Sequence, residues 1–442
     1  MKPGTPSSFA PSSCPRPHHF TTGIHMKNAP RIPSRRPSKK PMPMRMSPLL
    51  LASLLALGAG PAQALDYVWL GGTGSWTDTS KWSLLGLPGS GDTASLNSGS
   101  AILDSDRLLG RLILAGGNRG GSGLLTSGAL TFVSGSLFGP GATTITGAAS
   151  FTGTNNQTVD ATHTLNLNGG ATWSVGNGTI STGTDARINV AAGTTFVDAG
   201  ALSPSGSRSL GYYGNGSFNN AGSYERNGLG TTNAYGFNNS GRININSGTF
   251  LLRSAWSNTG IARIAAGANL ASSEASFNNQ GRLEGDGTVR TAGLNYALLN
   301  LGEIAPGTLS TVGHLAIDGD LTLGSGSVLD IDLASLSSFD SISISSDLRV
   351  AGVLKVESLD GFAPQVGDSF KIASFSQMIG GGSFSQVQWL GNPGLTLSIE
   401  YNASDITLRV AAVPEPSSWA LMFSGLALFG WLSSRRRRMA EQ

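Results

Sequence analysis

A fixed unit recurs through the middle of the chain. Asn-x-Gly occurs at Asn220/Gly222, Asn239/Gly241, Asn258/Gly260, Asn279/Gly281 and Asn300/Gly302, with successive glycines 19, 19, 21 and 21 residues apart. Four residues before each glycine stands Phe218, Phe237, Trp256, Phe277 or Leu298. Two residues after it stands Tyr224, Ile243, Ala262, Leu283 or Ile304. A period near 20 with fixed apolar, Asn and Gly positions is the signature of a solenoid. One such unit cannot bury its own apolar face, whereas stacked units share a continuous core. Stacking would bring like onto like. The large apolar residues would form one interior column, and the asparagines a hydrogen-bonded ladder at a turn. The glycines would take the left-handed turn conformation that other residues resist.

The coils should be built of strands. Helical repeats are disfavoured by 62 glycines in 442 residues, with many Asn, Ser and Thr, because these residues weaken helix interiors. Period-two alternation is visible at Ile243 and Ile245 against Asn244 and Asn246, and at Leu329, Ile331 and Leu333 against Asp330 and Asp332. The sequence therefore predicts an all-β fold: an elongated parallel β-helix over 65–412 with coils of about 20 residues, giving roughly 17 coils. At about 4.8 Å per strand the rod would be on the order of 80 Å long. Residues 303–410 read as a continuation of the same architecture, with Glu303-Ile304-Ala305-Pro306-Gly307 leading into Leu315 to Leu323. These features resemble the β-solenoid passengers of bacterial surface proteins, including autotransporter-type passengers.

The two ends carry different information. The run from Leu49 to Leu57 is apolar, is preceded by Lys39, Lys40 and Arg45, and is followed by Ala62-Gln63-Ala64. This order of basic, apolar and small-x-small segments predicts a signal helix cleaved after Ala64, with 1–64 as the leader. Its apolar run starts far from Met1, so Met26, Met42, Met44 or Met46 could be the true start, with 1–25 superfluous. The basic residues are concentrated at the ends. Residues 1–64 hold nine Lys or Arg and no acid, and the tail adds Arg435, Arg436, Arg437 and Arg438. The span between carries 16 basic and 24 acidic residues, so nucleic acid is not an expected partner. The single cysteine, Cys14, precedes the cleavage site, so the mature chain has no thiol and no Cys-ligated metal.

At the other end, Val413-Pro414-Glu415-Pro416 precedes an apolar stretch from Trp419 to Leu432, and then four arginines. The prolines keep the motif extended and outside the helix. As a helix, 417–434 would be about 27 Å long, near the roughly 30 Å of a bilayer core. A single transmembrane helix is expected, with 439–442 as a short tail and the arginines as a cytoplasmic stop. Val413 to Pro416, the apolar helix and Arg435 to Arg438 closely resemble the PEP-CTERM sorting signal of Gram-negative bacteria. That resemblance implies processing near Pro414–Pro416 by an exosortase, a membrane cysteine transpeptidase-like enzyme. It also implies an exported envelope protein, often in organisms that make extracellular polysaccharide.

No catalytic constellation stands out in the body. His163 and His314 have no neighbouring Cys or second His at metal-ligand spacing. Asp318, Asp320, Asp330 and Asp332 form the densest acidic set, as a glycosidase pair or a calcium site would require. Each alternates with an apolar residue or abuts a glycine, which is the pattern of solvent-facing strand and turn positions. Trp69-Leu70-Gly71-Gly72-Thr73-Gly74-Ser75-Trp76 reads as a cap over the first rung, or alternatively as a sugar-stacking platform. Thr143-Thr144-Ile145-Thr146 and Thr194-Thr195 hold no fixed place in the repeat. The expected role is that of an exported, non-enzymatic protein, structural or adhesive, needing no cofactor. It would be held at the inner membrane before processing, then at the surface or in the extracellular matrix, in contact with exopolysaccharide or envelope glycans. The alternatives are a polysaccharide hydrolase or lyase on a β-helix, and an ice-binding protein.

Overall fold

The computed structural model describes residues 63–438 except 177, 213, 274–276, 292–296 and 414–417. The expected signal helix, Ala62 and the alternative starts lie outside the described residues, as do Pro414, Glu415 and Pro416. Ala64 is exposed and outside any strand.

The body is a parallel β-solenoid of about 12 turns averaging about 22 residues. A typical turn has three short strands, one per face: Phe237–Asn239, Arg242–Ile245 and Thr249–Leu252. Each strand pairs in parallel with its counterpart one turn on, as Arg242 with Ile261 and Thr249 with Asn269. Alternation decides the facing. In Arg242–Ile245, Ile243 and Ile245 are buried while Arg242 and Asn244 are only partly covered. The inward column Phe196, Tyr224, Ile243, Ala262, Leu283, Ile304, Leu329 and Leu354 follows the pairing one residue per turn, and every member is buried.

The interior expected from the repeat is present. Phe218, Phe237, Trp256, Phe277 and Leu298 are all buried. Phe218 and Phe237 stack at 5.4 Å with 10° between ring planes, and Trp256 lies 5.4 Å from Phe277. The asparagines form the ladder. Asn220 donates through Nδ2 to Asn239 Oδ1 at 2.8 Å, and the steps from Asn239 to Asn258, Asn279 and Asn300 are each 2.7 Å. All five are buried. Within the ladder a polar amide is tolerated because its neighbours above and below satisfy it, whereas Asn220 Oδ1, at the ladder's start, is buried without a hydrogen-bond partner.

The repeat glycines act for a different reason from the one expected. None of Gly222, Gly241, Gly260, Gly281 and Gly302 has a left-handed backbone. They are required because successive turns touch there. A Cβ on Gly260 would lie 2.0 Å from the Gly241 carbonyl oxygen, and one on Gly281 would lie 2.0 Å from that of Gly260.

Fewer turns fit than the roughly 17 expected, because turn length varies. Leu112 pairs with Leu130 after 18 residues, Ile188 with Phe218 after 30, and Leu354 with Val387 after 33. At about 4.8 Å per turn the stack is roughly 60 Å long. The parallel path also ends before residue 410. Leu395–Tyr401 and Asp405–Ala412 form an antiparallel hairpin, and the second strand pairs antiparallel with Ser369–Ser374. Asn402 turns the chain back, with its N–H on the Asp405 carbonyl and its Nδ2 on Asp405 Oδ1. Three residues between strands are too few to reach another face.

At the other end Trp69, Trp76 and Trp82 are buried together, with Trp82 edge-on to Trp69 at 5.1 Å and to Trp76 at 4.9 Å. Trp82 Nε1 donates to the Trp76 carbonyl and Trp69 Nε1 to that of Gly72. These indoles form the cap over the first rung. With no ring face open to solvent, they are not a sugar platform.

Candidate functional site

The C-terminal segment leaves the body from its last hairpin. Leu395 pairs with Ala412 and Thr396 with Ala411, and the Val413 N–H reaches the Gly394 carbonyl at 3.3 Å. Ser369–Ser374 flanks the outgoing strand only as far as Arg409. Two further bonds join Val410 N–H to the Asp368 carbonyl and Gly367 N–H to the Val410 carbonyl. Beyond Val410 the chain is therefore gripped from one side alone. Val413 is exposed. The expected helix is present as Ser418–Arg438, 21 residues ending on Arg435 to Arg438. Met422, Phe423, Leu426, Leu428, Phe429, Trp431 and Leu432 on it are exposed.

The transmembrane expectation is corrected: no helix of the described residues is long and apolar enough to cross a membrane. Serines at 418, 424, 433 and 434, with Gly425 and Gly430, dilute the apolar stretch. The span from Trp419 to Leu432 covers only about 21 Å at 1.5 Å per residue.

The acidic set does not converge. Asp318 is exposed on the strand His314–Asp318 and pairs with Arg290, whereas Asp330 lies on a different face, in Val328–Leu333. Asp330 and Asp332 are buried, contrary to the solvent-facing expectation. Lys355 reaches Asp330 at 3.2 Å and Arg282 reaches it at 3.5 Å. The segment after Leu333 folds back, so that the Asp340 N–H bonds the Asp332 carbonyl. Asp340 Oδ1 accepts from Gly313 N–H at 2.6 Å and Oδ2 from Asp332 N–H at 3.0 Å. Burial pushes the Asp340 carboxyl up to about 8, against the pull of those two N–H groups. Burial, then the charges of Asp330 and Glu357, push Asp332 up to about 6. Asp340 is thus a clamp between strands, with both oxygens occupied. Among the described residues no group of three or more His, Cys, Asp or Glu could hold a metal ion.

The two histidines differ. His163 is buried, with Nε2 3.0 Å from Thr143 Oγ1 and Nδ1 3.2 Å from the Gly139 carbonyl. Burial, reinforced by Arg119 beside it, lowers its pKa to about 4. It is a packing residue. His314 is exposed and bridges Ser341 Oγ at 2.9 Å and Ser343 Oγ at 3.0 Å on the next turn.

A second amide ladder, on the outer surface, escaped the sequence reading. Asn238 donates to Asn219, Asn219 to Asn189 and Asn189 to Asn166, each at 2.9 Å, and Asn166 to Thr144 Oγ1 at 3.2 Å. The doublets Asn219-Asn220 and Asn238-Asn239 were the available signal: adjacent strand residues face opposite sides, so one Asn of each pair must point outward.

No curated protein matches the chain. Residues 412–438 match the family described as the PEP-CTERM protein-sorting motif. The chain is thus an exported protein bearing an exosortase sorting signal behind a β-solenoid body.

Proposed function

We propose that this is a non-enzymatic surface protein, structural or adhesive, whose solenoid contacts extracellular polysaccharide after the tail has been processed. Before processing, the exposed apolar side of the Ser418–Arg438 helix associates with the membrane. The observation that carries the glycan reading is the outer ladder from Thr144 to Asn238. Each of Asn166, Asn189 and Asn219 spends one N–H and one acceptor position within the ladder. An amide has two donors and two acceptor positions, so Asn166 and Asn189 each keep one of both for a ligand rich in hydroxyls, whereas Asn219, whose second N–H goes to Ser217 Oγ at 3.1 Å, keeps an acceptor position only. Turns stacked about 4.8 Å apart repeat the offer, and many weak contacts sum along a chain-like ligand.

Co-sedimentation of the exported protein with the producing cell's own polysaccharide tests this. The Asn189→Leu/Asn219→Leu double variant should bind at least about tenfold more weakly, because two ladder rungs lose their polar groups. Equal binding by the variant would remove the ladder from the account. Shortening of the polysaccharide chains would replace the binder with an enzyme.

A further inference from the structure

The sorting motif begins immediately beyond chain that the body still holds. Val413 is hydrogen-bonded to Gly394, and Ala412 and Ala411 are paired with Leu395 and Thr396. Enzymes that cut or transfer peptides bind them as extended strands, through main-chain bonds on both sides of the scissile bond. While the hairpin is closed the Val413 N–H is spent on Gly394 and Ala411 is spent on Thr396, so the body side of Pro414 offers an enzyme the outward-turned main chain of Ala412 but no continuous run. The grip is graded, however. Asp405 to Val410 is held from two sides, and Ala411 to Val413 by the Gly394–Thr396 edge alone. Opening the last three residues costs only a few exposed backbone bonds, each worth about 0.5–1.5 kcal/mol, whereas opening further would break into the core at Val410 and Leu408.

We propose that Ala411, Ala412 and Val413 belong to the segment the sorting enzyme binds, and that they become available by fraying from Gly394–Thr396. The hairpin end is a latch, and Val410 sets how far it can open. This rests on the exosortase reading of the tail.

A crosslink tests it. Residues paired across an antiparallel ladder have Cα atoms about 4.5 or 5.5 Å apart, within the range a disulfide spans. Leu395→Cys with Ala412→Cys would therefore lock the latch, and the only native cysteine, Cys14, lies far from it in sequence. Full-length protein is expressed in an exosortase-bearing Gram-negative host, and C-terminal loss is followed by intact mass with and without reductant. The expected result is that the oxidised form keeps its tail, at least about tenfold longer than the reduced form, which is processed like the unmodified protein. Processing of the oxidised form at the unmodified rate overturns the latch. If the unmodified protein also keeps its tail, the sorting reading itself fails. Should the first pair misfold, Thr396→Cys with Ala411→Cys places the same lock one pair inward, with the same expectation.

Discussion

Two residue types carry the stacking, and each can be broken separately. Asn258 accepts from Asn239 and donates to Asn279, with almost no solvent access. Asn258→Ala strands one buried donor and one buried acceptor, at about 1–3 kcal/mol each. Hydrogen exchange should speed up around Asn239 and Asn279 while distant turns stay protected, since stability in a solenoid is local. Exchange that rises uniformly or not at all would contradict the ladder's role. Gly260→Ala should destabilise by about 1–3 kcal/mol or more through overpacking, because its Cβ would meet the Gly241 carbonyl, not a flexible side chain. Gly267 is the contrast, with φ +78° and open space around it. There Asn, which tolerates that conformation, should cost less than Ala. The Asn and Gly positions were legible in the sequence, since both recur at fixed offsets. The reason for glycine was not, because closeness between turns is a property of pairing and leaves no local trace.

Two separate regions of the stack should respond oppositely to pH. His163 is held neutral down to about pH 4 when folded, against 6.5 as the ordinary value. The unfolded chain therefore binds more protons between those values, and acidification across that window weakens the turns around His163, by on the order of 3 kcal/mol in all. Asp340 keeps its proton up to about pH 8 when folded, against an ordinary 3.8. Here the folded chain binds more protons, so stability around Gly313, Asp332 and Asp340 falls as pH rises across that window. Exchange compared at pH 5 and pH 8, after correction for intrinsic rates, should show protection shifting between the two regions. A His163→Gln variant should lose the acid sensitivity at its own turns only. The burial of Asp330 and Asp332 could not be read from alternation, which reports facing but not what folds over a face. Asp330 is enclosed by Lys355 and Arg282, and Asp332 is bonded to Asp340 at the end of Ala334 to Asp340, an insertion without a repeat signature. The reversal at Asn402 was hidden for a similar reason: Leu395, Leu397 and Ile399 alternate like any rung, and only the short turn decides between antiparallel return and another coil.

At the scale of the molecule, a stack of turns closed by three indoles at one end leads at the other into a hairpin and a processed tail. The repeat announced the solenoid because five consecutive turns kept nearly constant length. It misjudged the number of turns because others lengthen to 30 or 33 residues without disturbing the inward column. The tail was legible from its order of motif, apolar stretch and arginines, and its apolar part proved shorter than a bilayer core. What ties these parts together is export followed by exosortase processing. Intact mass spectrometry of the protein recovered from the envelope and medium of an exosortase-bearing host tests this most directly. The account predicts a chain beginning at Leu65 and lacking the helix and arginines beyond Pro416. A chain recovered from the cytosol at the full 442-residue mass would contradict it.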